Sequence, residues 1–402
     1  MADILFLAHR LPYPPDRGDK IRSFHLLKHL CGLGRVHLAC FADDETEAAQ
    51  LPALRDALGG RLGEAHVAVR TTSKAAAGLR AIARGQPILL TLFDSAALRA
   101  FVANRLSSGN VDRVVAFSGQ MAQFVPAGIR QTFVMDFVDM DSAKFAAYAG
   151  SASGPMRWVY RREAKRLFAF EREVAARADA SLFVSEAEAA LFRSRTGAVD
   201  VHAVSNGIDL QFYDPDGAFA RDADVPGDLP LIVFTGQMDY PPNIDAVRFF
   251  AREVLDHVSA RFAIVGRAPT PEVQALRSER VIVTGAVPDV RDWLHAADIV
   301  VAPLRIARGI QNKVLEAMAM ARPVVATSAA FEGIEAQAGR DLLVADTPLA
   351  IAAAIQALLT DPAHAAQIGA SGRRRMVEGY RWDARLQPID ALLGVSGARA
   401  AA

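Results

Sequence analysis

The chain has 402 residues, 51% hydrophobic and 22% charged, which excludes a disordered protein and leaves room for two or three ordinary domains. Its 45 Lys and Arg balance 45 Asp and Glu, so global charge gives no argument for nucleic acid, and any electrostatic recognition must be local. Two cysteines, Cys31 and Cys40, build neither a disulfide framework nor a zinc site and point to a reducing cytoplasm; no apolar stretch approaches the roughly 18 residues of a membrane helix, and the N-terminal apolar run is too short for a signal peptide.

Short apolar runs alternate with helical stretches along the whole chain. In the first half the runs are Ile4–Ala8, Val36–Phe41, His66–Val69, Arg113–Ser118, Thr132–Asp139 and Ser181–Ser185. In the second half they are Leu231–Thr235, Arg261–Val265, Val281–Val287, Ile299–Leu304, Pro323–Thr327 and Asp341–Val344. Amphipathic helices such as Ile21–Leu33, Ala246–His257 and Leu349–Leu359 lie between them. Near-continuous apolar strands separated by helices predict parallel sheets covered on both faces, a doubly wound α/β architecture. Twelve strands are too many for one ordinary sheet, so two sheets of about six are expected. The Gly-, Pro- and Asp-rich "VSNGIDLQFYDPDGAFARDADVPGDLPLIVF" reads as linker and hinge. The expected domains are residues 1–205, residues 206–378, and a final amphipathic helix and tail over 379–402. Two such domains facing across a cleft suit an enzyme holding a nucleotide in one half and a second substrate in the other.

Several second-half strands end in glycine, at Gly236, Gly266 and Gly285, which permits tight turns or close approach of a ligand to backbone. No G-x-G-x-x-G is present, which argues against a nicotinamide dehydrogenase. In "ARGIQNKVLEAMAMARPVVAT" a strand ends, the chain turns, and a helix is predicted from about Asn312 to Met320. Gly309, Ile310 and Gln311 would offer amides at its N-terminus, a site for a diphosphate. Lys313 opposes the helix dipole there and is easier to explain beside an anion. Glu316, one turn further in, can accept hydrogen bonds from ribose hydroxyls. The plainer alternative is a surface ion pair between Lys313 and Glu316 at i,i+3.

These segments resemble family 4 glycosyltransferases of the GT-B fold. "GIQNKVLEAMAMARPVVAT" resembles their "KvlEAmA.G.PVva" segment, and "LPYPPDRGDKIRSFHLLKHL" their N-terminal glycine loop and helix. "ASLFVSEAEAALF", "VSNGIDLQFY", "VFTGQMDYPPNIDAV", "FAIVGRAP", "AADIVVAPL" and "GYRWDARLQPIDALL" follow in the family's order. "MDFVDMDSAKFAAYA" is similar to a bacterial subgroup of sugar transferases linked to PEP-CTERM sorting and exopolysaccharide loci.

The resemblance implies retaining transfer from a nucleotide-diphosphate sugar, without a metal or other cofactor. The C-terminal domain would hold the donor and the N-terminal domain a glycan or polyprenyl-linked acceptor, with the last helix crossing back. Glu316 matches the second Glu of the family's E-x7-E motif, which grips the ribose, and Gly18 matches the loop against the donor diphosphate. Three departures stand out. Arg308 replaces the first Glu of that motif; it would read a carboxylate on the donor sugar or the diphosphate, and the plainer alternative is a loop arginine facing solvent with the sugar read by backbone amides. Gln237 and Pro242 replace a usual Arg and Lys, leaving Lys313, Arg267, Arg17 and Lys20, beside Asp19, as candidates on the phosphate or acceptor side. Val138 replaces a common His, while Asp136, Asp139 and Asp141 remain nearby.

Asp139, then Asp141, are the candidates for the carboxylate that orients the acceptor hydroxyl, the departing phosphate taking its proton. The alternative for both is helix capping at "DMDSAKF". "DMD" is also a literal D-x-D, the metal motif of another glycosyltransferase fold. The basic, aromatic "RWVYRREAKRLFAFER", residues 157–172, is a candidate contact with an anionic membrane at the inner face of the plasma membrane; a charged solvent face with a core stripe is the alternative. A nucleotide-sugar epimerase and a catalytically inactive sugar-nucleotide-binding subunit share the architecture and stay as competing readings.

Overall fold

Runs of apolar residues with no polar face form strands only where both faces of a sheet are covered. The chain does this twice. In the computed structural model, which describes residues 3–219, 229–307 and 309–395, Asn206–Arg385 form one compact unit. The residues before it, joined by those from Leu386 on, form the other.

The first unit carries seven strands: β1 (Asp3–Ala8), β2 (Val36–Ala42), β3 (Leu62–Val69), β4 (Val111–Phe117), β5 (Thr132–Val138), β6 (Ala180–Phe183) and β7 (Val201–Ala203). They pair in parallel in the order β3-β2-β1-β4-β5-β6-β7. The order reverses between β1 and β4, the switch point outside which ligands bind in such sheets. Every residue of β2 is buried, as is all of β1 after Asp3. Beyond Leu386 the chain is fastened to this unit: His29 Nε2 lies 2.6 Å from Asp390 Oδ1, and the Arg113 guanidinium donates to the Leu393 carbonyl at 2.6 Å. The final segment is two short helical pieces, Trp382–Leu386 and Pro388–Leu392, rather than one helix. Pro388, which lacks an amide proton, starts the second.

The second unit carries β8 (Leu231–Thr235), β9 (Arg261–Val265), β10 (Val281–Gly285), β11 (Ile299–Ala302), β12 (Val324–Ala326) and β13 (Leu343–Val344), all parallel in the order β10-β9-β8-β11-β12-β13. Here the switch point lies between β8 and β11. The expected helix over 246–257 is three pieces: an α-helix Pro241–Phe249, a π turn Phe250–Val254 and a 3₁₀ turn Leu255–His257. The π turn keeps Phe250 and Val254 both in the core. Among the described residues no single helix is long and apolar enough to cross a membrane.

Candidate functional site

In the second unit the site forms at the switch point. Gly236 follows β8 and Gly266 follows β9, with φ of +157° and +152°, which side-chain-bearing residues rarely adopt. Their backbones touch: a Cβ on Gly266 would lie 1.7 Å from the Gly236 carbonyl oxygen. A Cβ on Gly236 would lie 2.7 Å from Asn243 Nδ2 and 3.2 Å from Lys313 Nζ. The Met238 amide also donates to the Arg267 carbonyl at 2.9 Å, so the loops after β8 and β9 hold each other. Gly266→Ala is therefore expected to destabilise the fold by roughly 2–5 kcal/mol, read by denaturant unfolding, because neither backbone can rotate away.

The helix Asn312–Ala319 starts beside these glycines. Gln311, its N-cap, makes no side-chain capping bond, so the first-turn amides are not closed off by their own cap. Lys313 does not close on Glu316. Its ammonium donates to Asn243 Oδ1 at 2.6 Å and stands 4.2 Å over the Phe234 ring. Asn243 is buried, and its Nδ2 donates to the Gln237 carbonyl at 2.9 Å, which ties the lysine to the loop after β8. Burial pushes the Lys313 pKa down to about 7, with the charge of Glu316 acting in the other direction. Lys313 is thus a lysine of lowered pKa aimed at a glycine turn.

Glu316 is half-buried, and burial raises its pKa while the Tyr213 hydroxyl, donating to the carboxylate, and Lys313 lower it. It lies one turn along from Lys313 on the same helix face. The i,i+3 ion pair is thus replaced by two separate tethers, Lys313 to Asn243 and Glu316 to Tyr213. Neither partner stands out in sequence, although Tyr213 ends the "NGIDLQFY" stretch and Asn243 lies in "YPPNIDAV". Asn206 of the same hinge motif donates to Asn312 Oδ1 at 3.0 Å, fixing the helix start. Gly309 has φ +64°, and Gln311 Nε2 donates to its carbonyl at 3.2 Å. Ile310 turns its side chain into the core. Arg267 is half-buried behind Gly266. Arg308 lies outside the described residues.

In the first unit, His9 follows β1, Ser118 follows β4, and Asp139 follows β5. Ser118 and Val138 hold φ of +74° and +72°. For a β-branched valine that is a strained backbone, costing on the order of 1–3 kcal/mol, and such strain gathers at functional sites. Asp136 holds it: Oδ1 accepts from the Val138 amide at 3.1 Å, and Oδ2 from Arg22 Nε at 2.9 Å, with Arg22 and Asp136 both buried. Asp136 is committed to that pair.

Asp139 is half-buried, and its Oδ1 has no hydrogen-bond partner among the described residues. Burial, then the negative charge of Glu188, raises its pKa to about 6. Asp141 is also raised by burial, opposed by Lys144, 3.7 Å away, and by His9. The capping alternative does not hold for either. The helix Asp141–Ser151 has Met140 at its N-cap with no cap from its side chain. Its start is closed by glutamates from other helices: Glu188 Oε2 accepts from the Met140 amide at 2.9 Å, and Glu171 from the Ser142 amide at 2.9 Å and hydroxyl at 2.5 Å. Burial pushes Glu171 up to about 8 against those hydrogen bonds. Sequence reasoning missed both glutamates. Among the described residues no three of His, Cys, Asp and Glu converge to hold a metal ion.

The N-terminal loop is less available than its sequence implies. Lys20, a candidate cation for phosphate, is buried, its ammonium 2.5 Å from Glu47. Arg17 Nε lies 3.3 Å from Asp19, as does Arg10 Nε, while Asp19 also meets His9 Nε2 at 3.2 Å. Burial alone would raise the Asp19 pKa; the His9 hydrogen bond and the charges of His9, Arg17 and Arg10 overcome it and hold it well below the usual range. Gly18 opens the helix Gly18–Leu33 immediately after Arg17. His9, stacked on Phe117 at 5.7 Å, comes directly after the first strand, and only that position in "LAHR" could have signalled it.

Residues 229–361 match the family model Glycosyl transferases group 1. Among curated proteins none matches the chain by sequence. Solved structures are similar over nearly the whole length. Sucrose-phosphate synthase from Thermosynechococcus elongatus gives a TM-score of 0.71 at 17% identity, covering 98% of both chains. HepE from Anabaena, in complex with UDP and glucose, gives 0.66 at 16%, covering 98% of this chain and 100% of its own. WaaG, a glycosyltransferase involved in lipopolysaccharide biosynthesis, gives 0.65 at 15%, again covering 98% and 100%. The fold is GT-B, and the glycosyltransferase group 1 similarity falls within its second unit.

Proposed function

We propose that the protein is a retaining glycosyltransferase that moves a sugar from a nucleotide-diphosphate sugar to a glycan or lipid-linked acceptor in cell-surface or exopolysaccharide synthesis. The observation that carries this reading is the Lys313–Asn243–Gly236 arrangement, with Glu316 one turn along the same helix. The Asn312–Ala319 amides and Lys313 take the diphosphate; Glu316, oriented by Tyr213, takes the ribose hydroxyls. Charge developing on the leaving diphosphate meets fixed donors that need no reorganisation, which lowers the barrier. The reading needs no metal for this step: the cation and amides supply the countercharge. The first unit holds the acceptor, whose hydroxyl is oriented by Asp139 while the departing phosphate takes the proton. The HepE complex with UDP supports a nucleotide co-substrate by analogy. The exopolysaccharide setting rests on the likeness of "MDFVDMDSAKFAAYA" to that subgroup.

Nucleotide release from a panel of nucleotide sugars, with and without a polyprenyl-linked acceptor, tests the reading. Acceptor-dependent release is expected. Donor conversion with no acceptor would make the protein an epimerase, and binding without release a non-catalytic subunit.

Glu188→Gln gives a finer test. The amide oxygen still accepts from Met140, but the charge that raises Asp139 is gone. The Asp139 pKa then falls, so the acid limb of kcat/KM against pH, expected near 6, moves to lower pH with little change in the plateau. An unmoved limb would remove Asp139 from the titrating role.

A further inference from the structure

The helix Lys74–Arg84 places its larger apolar residues on the wrong side for a core. Ala77 and Ala81 are buried, while Leu79 is 75% and Ile82 46% exposed. With Ala75 and Ala83, also exposed, they form a stripe at i, i+4, i+7 and i+8 that faces solvent. The N-terminal half of the helix Gly154–Arg177 also exposes large apolar side chains, Met156 at 48% and Trp158 at 57%. The two helices are fastened together: the Arg162 guanidinium donates to the carbonyls of Ala81 at 2.8 Å and Gln86 at 3.0 Å.

Charge on this face is one-sided. Arg80, Arg84, Arg157, Arg161, Lys165 and Arg166 are all exposed. No acid occurs in residues 71–86, and the single acid of residues 154–170, Glu163, is buried with its carboxylate bound to the Ile88 and Leu89 amides at 2.9 Å. In a chain of zero formal net charge this concentration is local. The expected membrane segment is thereby redrawn. Phe168 and Phe170 pack on the core, and Tyr160 is half-buried against Tyr148, ring centroids 5.8 Å apart, so the C-terminal half of residues 157–172 is structural.

We propose that the outward stripe of the Lys74–Arg84 helix, together with Met156, Trp158 and the surrounding cations, is a docking surface for an anionic lipid bilayer. Apolar side chains standing among arginines on adjoining helices suit an interface where tails accept the apolar groups and phosphates the cations. Trp158 fits the same boundary, with an apolar ring and a polar edge. This does not depend on the transferase reading, because lipid binding needs no donor.

Co-sedimentation with vesicles, without nucleotide, tests it. The chain should bind phosphatidylcholine vesicles containing phosphatidylglycerol and not phosphatidylcholine alone, and binding should weaken as salt rises. Leu79→Glu with Ile82→Glu should lower partitioning about tenfold or more. Arg157→Gln with Arg161→Gln should lower it by about fivefold per cation. These side chains are exposed, so the unfolding midpoint should hold in all variants. Equal binding to both vesicle types, no binding, or unchanged binding by the Leu79/Ile82 variant would overturn the proposal. So would protection of this face by a protein partner in the absence of vesicle binding.

Discussion

Replacing Lys313 with methionine is expected to lower kcat/KM by roughly 10²–10³-fold, because it removes the cation placed at the leaving diphosphate. The free protein keeps this lysine near its midpoint at neutral pH, since burial pushes its pKa to about 7. A bound diphosphate favours the ammonium and raises that pKa again. Binding therefore takes up a proton above pH 7, and nucleoside-diphosphate affinity should fall by up to about tenfold per pH unit over the first unit or so. Calorimetry in buffers of different ionisation enthalpy reads the proton directly. In the Lys313→Met variant the uptake and this part of the pH dependence should vanish together.

The sign for stability is separate and serves as a control on folding. The folded pKa lies below the unfolded value of 10.5, so between about 7 and 10.5 the unfolded chain binds more protons. The cost of burying this charge is complete below 7 and is relieved as pH rises through that window. Wild type should gain stability across it relative to Lys313→Met. Parallel unfolding profiles would mean that the lysine is ordinary and solvated.

Asp139→Asn is the second large effect. Turnover should fall by about 10²–10³-fold, with nucleotide dissociation constants within about twofold of wild type, because the carboxylate acts on the acceptor and not on the donor. Its free Oδ1 and the caps from Glu171 and Glu188 mean that the helix behind it does not need its charge. Equal losses in turnover and in donor affinity would make Asp139 structural.

The strands were legible wherever burial on both faces made an apolar run, as in β1, β2 and β8. Strand β7 was not: it has three residues at a sheet edge, and only Val201 is buried. Strand β3 starts at Leu62, earlier than expected, because Gly63 and Glu64 interrupt the run. Lys313 and Glu316 were readable because one helix turn carries both. Their tethers, Asn243 and Tyr213, were not, since tertiary structure brings them from a loop and a hinge. Arg17 and Lys20 looked like available cations. The fold answers Lys20 with Glu47 and places Asp43, 4.0 Å from Arg17, in the turn after β2. The capping alternative at "DMDSAKF" fails for the same reason: local chemistry offers a cap, and distant glutamates close the helix start instead.

The account stands on Glu316 gripping the ribose of a bound nucleoside diphosphate. A thermodynamic cycle tests this most directly, with wild type and Glu316→Gln each titrated with a nucleoside diphosphate and its 2′,3′-dideoxy analogue. Either change alone should weaken binding by roughly 10–100-fold, and the second should add little once the first is made, a coupling of about 1.5–3 kcal/mol. Losses that simply add, or full affinity in Glu316→Gln, would contradict it.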